Sequence, residues 1–563
     1  MASRGRPNIV FIMADQLKWS ALRMYSEIGI DTPSLERLAE EGVRFHNAIT
    51  PHPLCVPART SVMTGRYPHS TGCRRNETLM PADEIHAFLI WKQAGYTTGL
   101  IGKNHCFDLE SDLDLFDVRC ELSHRGLPVG GYAGENVGAK GMEWATPEST
   151  IDESHSTRSE MPRQSPTISY AVTDHPIEGY GTSAITGQVK VFLERVAAGD
   201  RFDGSAPDET DSPSPFALWV SYPDPHEPYE APKRYADMFP PDDVSMPPTR
   251  PDEFSAGPAP ERNRVLHRIL SQDADTEHDR RAAIATYHAM VRFLDDGVGR
   301  VLDALDRLGL RDDTIVVFTA DHGDFAGEHG MGVKGGVSYD CLVRVPLIVS
   351  WPGGGVPTGV VDDSMVSTVD ILPTLLQLQG IADFVSEPPL PPEGQIAPAG
   401  PTLSDDLTGD ALTSESLRRI QGASLPTVTA ARPRTVAFSE YGAGGAPYTM
   451  DMLDRHTPPF GYRTLIDTLW AREAEGRRKM VRTVDWKYVT DPTAQPLGAR
   501  TESGSHPEDE LYDLRSDPWE LRNIAHEQRN AGVISEMRVL VADWMIRTED
   551  PRPVPLPRTV GRS

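Results

Sequence analysis

The chain has 563 residues, enough to bury a large core and to divide into at least two domains. Its composition, 39% apolar and 24% charged, is that of a soluble globular protein, and no stretch approaches the ~20 apolar residues that a membrane span needs. A net charge of −27 argues against nucleic acid or an anionic membrane as partner; it disfavours long polyanionic substrates less, because a local cationic pocket outweighs a global field.

Residues 8–14 read as a buried strand. A signal core is rejected there, because the apolar run is brief and Asp15 and Gln16 stand where a cleavage site would fall. Residues 32–42 read as a capped helix, with Thr32 ahead of Pro33, apolar residues at 35, 38 and 39, and Gly42 as its stop. Short buried strands are predicted at 43–45, 99–101, 216–220 and 314–319, with a long helix over 282–308 between the last two. This alternation defines an α/β domain with a largely parallel sheet, whose ligands lie beyond the carboxyl ends of the strands. Asp15, Lys103, His226 and Asp321 each follow one of those strands.

Residues 107–215 are rich in acids, Gly, Ser and Pro and read as an inserted set of long loops. The stretch 386–434 contains Pro-Pro-Leu-Pro-Pro and reads as a linker or surface excursion. The expected division is therefore a catalytic domain over 1–385, this excursion, and a smaller α+β domain over 435–563. Strands at 435–440 and 479–484 and a closing helix over 531–547 belong to the last. The five cysteines (55, 73, 106, 120, 341) include no Cys-x-x-Cys pair, which points to a reducing, cytoplasmic compartment without a disulfide framework.

Residues 55–59 read Cys-Val-Pro-Ala-Arg. Cysteine, then proline, then arginine at this spacing is the pattern that formylglycine-generating enzymes oxidise to an aldehyde. Hydrated, the aldehyde offers two hydroxyls: one attacks a sulfur or phosphorus centre, and the other expels the bound group by collapsing back. Pro57 suits the first turn of a helix, whose N-terminus binds anions through free N–H groups. Arg59, one turn on, is placed to steady the modified residue, or is a surface helix arginine.

Asp15 and Asp321-His322-Gly323, each after a buried strand, make a divalent-metal site if brought together, and Gln16 completes it through its amide oxygen. Taken singly, either carboxylate reads as a helix cap. Lys103 is suited to a substrate oxygen and His105 to a hydrogen bond or proton shuttle; the bland alternative is a solvated turn. His226, in a proline-stiffened loop, is suited to protonating a leaving oxygen. Lys334, in a glycine-rich turn, is a second lysine for the anion, and Asn76 a donor to the substrate.

The ordered motifs Pro7-Asn8-Ile9-Val10-Phe11-Ile12-Met13-Ala14-Asp15, Cys55-Val56-Pro57-Ala58-Arg59, Gly102-Lys103-Asn104-His105, Pro225-His226-Glu227-Pro228-Tyr229 and Asp321-His322-Gly323-Asp324 resemble those of the formylglycine sulfatases of the alkaline phosphatase superfamily. The resemblance implies an alkaline-phosphatase-like sandwich: a large mixed, mostly parallel sheet between helices, plus a smaller C-terminal α+β domain with a short antiparallel sheet. It implies that Cys55 becomes the formylglycine nucleophile and binds the metal with Asp15, Asp321 and His322. It further implies that Arg59 and Lys103 stabilise the modified residue, Lys334 binds sulfate oxygens, His105 assists collapse, and His226 contacts the leaving oxygen.

Two positions depart from many sulfatases, Gln16 for a second aspartate and His322 for an asparagine. Both variants, and Asn76, look like those of choline sulfatases and of phosphonate monoester and phosphodiester hydrolases. Calcium is the metal this implies, with manganese or magnesium as competitors. The expectation is a sulfate-ester hydrolase acting on a small substrate, with a formylglycine-generating enzyme as partner and a homo-oligomer left open. A phosphonate monoester or phosphodiester hydrolase with the same site is the alternative, and a non-catalytic anion-binding protein is a third reading. A cage for choline would need aromatic or acidic walls, for which Trp219, Glu440 and Tyr441 are the candidates.

Overall fold

The structure, a computed structural model, describes residues 6–549 apart from 77, 79, 108, 123–169, 203–213, 256–257, 274, 385–401, 404–416, 446–448, 456–475, 495 and 497. In chain order the first strands are β1 (Asn8–Ala14), β2 (Val43–Ile49), β3 (Thr97–Gly102), β4 (Val118–Glu121), β5 (Tyr170–Thr173), β6 (Phe216–Tyr222), β7 (Tyr229–Pro232), β8 (Thr314–Ala320), β9 (Arg344–Ser350) and β10 (Val360–Ser367). Eight of them form one sheet in the order β10-β2-β9-β8-β1-β6-β3-β4, while β5 and β7 pair separately. β9 runs antiparallel to β2 and β8; the other neighbours are parallel.

The central strands are buried on both faces, which is why they read as continuous apolar runs rather than alternating ones. Every residue of β6 and β8 is buried, and so is β1 from Ile9 onward. Helix Glu277–Arg307 lays Tyr287, Met290, Val291, Leu294, Val298 and Leu302 into the core. It starts at Glu277 rather than 282 because a reciprocal capping box between Thr276 and Asp279 satisfies its first free N–H groups.

Register brings the functional loops to one level. Ala14 pairs with both Tyr222 and Ala320, and Gly102 pairs with Ser221. Asp15, Lys103 and Asp321 therefore leave neighbouring parallel strands at one end of the sheet. Gly102 is required at its position: its φ is 112°, and a Cβ there would lie 1.9 Å from the Ser221 carbonyl oxygen.

Two loop readings need correction. Within 107–215, β4 is the edge strand of the main sheet, and helix Gly181–Ala197 buries Ala184, Ile185, Val189, Phe192 and Leu193. The Gly, Ser and Pro around that helix mask its apolar spacing; 123–169 and 203–213 lie outside the described residues. Within 386–434, Leu417 and Leu425 are buried in the main core, so 417–434 is packed chain rather than a linker, and most of the proline-rich part lies outside the described residues.

A two-residue ribbon pairs β11 (Ala382–Asp383) with β12 (Thr402–Leu403). A second sheet, antiparallel throughout, follows in the order β13 (Ala437–Tyr441), β14 (Arg478–Arg482), β15 (Trp486–Thr490) and β16 (Glu510–Asp513). Helix Ala531–Arg547 covers it with Ile534, Met537 and Val541. The Glu440 N–H donates to the Pro51 carbonyl at 2.9 Å, so β13 braces the loop that leads into Cys55. No helix among the described residues is long and apolar enough to cross a membrane.

Candidate active site

Cys55 is the first residue of helix Cys55–Thr64, all ten residues of which are buried. Leu54 before it is extended, and Gly65 after it takes the left-handed conformation that ends the helix. Asn76 stands at this N-terminus, where its Oδ1 accepts from the Val56 N–H at 3.1 Å. An orphan donor of the first turn is thereby satisfied.

Asp15, Cys55, Asp321 and His322 converge, with one donor atom from each within 4.8 Å of all the others. The Cys55 Sγ lies 3.1 Å from His322 Nε2 and 3.8 Å from Asp15 Oδ1. His322 Nδ1 sits 2.9 Å from the Gly323 carbonyl oxygen, which places the ring proton on Nδ1 and leaves the Nε2 lone pair facing the cluster. Asp321 Oδ1 accepts from the Gln16 and His322 backbone N–H groups at 3.0 and 2.8 Å. Two carboxylates and one oriented imidazole form a donor set that fits a hard divalent cation.

Three cations surround this centre. Arg59 is fully buried; its Nε donates to Asp321 Oδ2 at 2.9 Å, and its Nη1 donates to the Lys103 carbonyl and Ser221 Oγ at 3.1 and 2.8 Å. Lys103 pairs with Asp15. Lys334 Nζ reaches Gln16 Oε1 at 2.7 Å, His226 Nε2 at 2.8 Å and Cys55 Sγ at 3.3 Å. Within a strongly acidic protein, these three side chains concentrate positive charge beside Cys55, where an anion can be held.

Burial alone would raise the Asp15 carboxyl, but Lys103, His226, Arg59 and Lys334 together hold it well below its usual range. Burial, followed by the Asp15 charge, pushes the Cys55 thiol up to about 11. Burial and then Lys103 and Arg59 hold His105 well below its usual value, so it enters the site as a neutral imidazole. Burial likewise lowers His322, as metal ligation requires.

The structure thus brings Asp15, Gln16, Cys55, Arg59, Lys103, His226, Asp321, His322 and Lys334 into one connected network, with Asn76 and His105 beside it. Sequence reasoning missed Ser221, Glu227, Tyr229 and Asp324. The last three meet around Gln16: its Nε2 donates to Glu227 Oε2 and Asp324 Oδ2 at 2.8 and 2.5 Å, and the Tyr229 hydroxyl donates to Asp324 at 2.6 Å. Glu227, Tyr229 and Asp324 all stand in the quoted motifs, which was the available signal.

The suggested cage does not form. Trp219 is core, its ring lying under the Arg59 guanidinium at 5.8 Å. Glu440 pairs with Lys479 and is hydrogen-bonded to His69. Tyr441 is buried against His52.

A mostly parallel sheet flanked by helices, with a separate small antiparallel sheet, is an alkaline-phosphatase-like fold. The chain belongs to the sulfatase family, whose model, described as "Sulfatase", matches residues 7–122 and 135–381. It is 30% identical over 382 residues to an ulvan-active sulfatase of Formosa agariphila, covering 67% of this chain and 62% of that protein; the match thus spans less than two thirds of that relative. It is 29% identical over 389 residues to a choline-sulfatase of Rhizobium meliloti, covering 67% and 68%. The crystal structure of a phosphonate monoester hydrolase of Agrobacterium radiobacter shares the fold, with a TM-score of 0.66 at 22% identity over 97% of this chain and 96% of that one.

Proposed function

We propose that this protein hydrolyses a small sulfate monoester, using a formylglycine made from Cys55 and one divalent cation, calcium first among candidates. The observation that carries this is the position of Cys55: at a buried helix N-terminus, within 3.1–3.8 Å of His322, Lys334 and Asp15. A formylglycine-generating enzyme would supply the aldehyde; its hydrate attacks the sulfur with one hydroxyl and releases sulfate when the other collapses the adduct.

Asp15, Asp321 and His322, with the Gln16 amide oxygen, would hold the cation, which polarises the ester and favours ionisation of the attacking hydroxyl. Lys334 and Lys103 stabilise charge on the transferring group's oxygens. His226 Nε2 accepts from the Lys334 ammonium, so the hydrogen-bonded Lys334–His226 pair would deliver the proton to the leaving alcohol, and neutral His105 would take a proton during collapse. Arg59 keeps Asp15 and Asp321 in place from beneath. The other four cysteines (73, 106, 120 and 341) are buried and unpaired, which supports a cytoplasmic location.

A second reading, phosphonate monoester or phosphodiester hydrolysis by the same site, is favoured by Gln16 and His322. A side-by-side turnover assay tests both, comparing an aryl sulfate, choline sulfate, a phosphodiester and a phosphonate monoester, with Cys55→Ala as background. The highest specificity constant on a sulfate ester is expected. A phosphorus ester ahead by orders of magnitude would transfer the assignment to the second reading. Ligand binding without turnover of any ester would leave an anion-binding protein.

A further inference from the structure

Gln16 is tied at every polar group it has. Its backbone N–H donates to Asp321 Oδ1 at 3.0 Å, and its carbonyl accepts from the Tyr287 hydroxyl at 2.8 Å. The side-chain Nε2 donates to Glu227 Oε2 at 2.8 Å and Asp324 Oδ2 at 2.5 Å, while Oε1 accepts from Lys334 Nζ at 2.7 Å. An ammonium only donates, so the amide oxygen must face Lys334 and the amide nitrogen the two carboxyl groups, which is a single orientation. Asp324 is itself fixed, accepting from the Tyr229 hydroxyl and, at 2.7 Å, from the Ala326 N–H. Asp324 and Glu227 are both buried.

We propose that Asp324 and Glu227 are positioning residues: they lock the Gln16 amide with its oxygen on Lys334 Nζ, which also reaches Cys55 of the candidate metal cluster, and they make an amide rather than a carboxylate the side chain this position requires. The inference rests on reading that cluster as a divalent-metal site. A glutamate at this position would turn acceptor oxygens onto two carboxyl groups, removing both hydrogen bonds and replacing them with like-charge contacts. Adding a carboxylate beside the cluster would therefore weaken the metal site, the opposite of what ligand charge alone suggests.

The test is calcium affinity, measured by calorimetric titration of the full chain, for wild type, Asp324→Asn, Gln16→Glu and the double variant. Thermal melts of the calcium-free proteins monitor folding. Asp324→Asn is expected to weaken calcium binding about 10–100-fold, as loss of a group that orients a ligand does. Gln16→Glu is also expected to weaken it. The double variant is expected to recover much of the loss. In it, the amide introduced by Asp324→Asn can donate to the carboxylate introduced by Gln16→Glu, restoring the hydrogen bond with its polarity reversed.

Tighter calcium binding by Gln16→Glu, or simple addition of the two losses in the double variant, would overturn the inference. Glu227→Gln, alone and with Gln16→Glu, gives the same cycle if the Asp324 variants do not fold. Wild-type protein that binds no calcium, manganese or magnesium would bring down the metal reading, and this inference with it.

Discussion

The Cys55 sulfur and His322 Nε2 stand 3.1 Å apart although 267 residues separate them in the chain. The ring is turned by the Gly323 carbonyl, and the sulfur is set by the start of a buried helix. Residue 55 therefore stands where the candidate metal cluster meets the lysine pair. Cys55→Ala is expected to fold normally and to lose turnover, because alanine fits a helix start but offers no nucleophile. Cys55→Ser is expected to transfer once and stall, because a single hydroxyl has no second oxygen with which to expel the product. Rapid-quench kinetics check both; sustained turnover by Cys55→Ser would refute the exit mechanism.

Arg59 spans both carboxylates of the candidate metal cluster, 2.9 Å from Asp321 and 3.4 Å from Asp15, with no exposed surface. Arg59→Ala leaves those charges buried without their shared partner, a loss of about 3–5 kcal/mol for a broken buried pair. Urea unfolding of the metal-free protein measures it. A loss under about 1 kcal/mol, the scale of an exposed pair, would show that Arg59 is not a structural link.

Asp340 anchors the second sheet to the main body. It pairs with Arg482 at 2.9 Å, Lys487 at 2.5 Å and Arg344 at 3.8 Å, all buried. Burial opposes its ionisation, but these three cations, Arg482 foremost, hold its carboxyl far below the ordinary value. A depressed folded-state pKa contributes stability that is present above the unfolded value near ~3.9 and is lost as pH falls from there toward the folded value. Asp340→Asn is thus expected to destabilise the protein at pH 7 and to differ less from wild type in acid. Melts at pH 7 and pH 3 test this; a gap that widens in acid would contradict it.

Chelation of divalent ions is expected to remove activity, and re-addition of calcium to restore it. Ligand binding to the folded state alone adds about 2.7 kcal/mol of stability at a calcium concentration one hundred times Kd, so the melting temperature should rise with added calcium. Full activity in metal-free protein would remove Asp15, Asp321 and His322 from the account.

The strand-end residues were legible because doubly covered strands such as β1 and β8 announce themselves as apolar runs, and several polar groups that each follow such a strand point to one site although each alone reads as a cap or a turn. β9 is equally apolar, yet its antiparallel direction has no signature in composition. Helix Gly181–Ala197 was hidden by its glycine, threonine and serine start inside a loop-like stretch. The Gln16 clamp was beyond reach for another reason: its partners Glu227 and Asp324 lie 211 and 308 residues away, and only the folded sheet brings them together.

The most direct test is mass spectrometry of the tryptic peptide spanning residues 45–59, isolated from an enzyme preparation of known sulfate-ester turnover. The account predicts an aldehyde at position 55, trapped by a hydrazide reagent, in a fraction that tracks activity across preparations. A fully active preparation carrying only the thiol at Cys55 would contradict it.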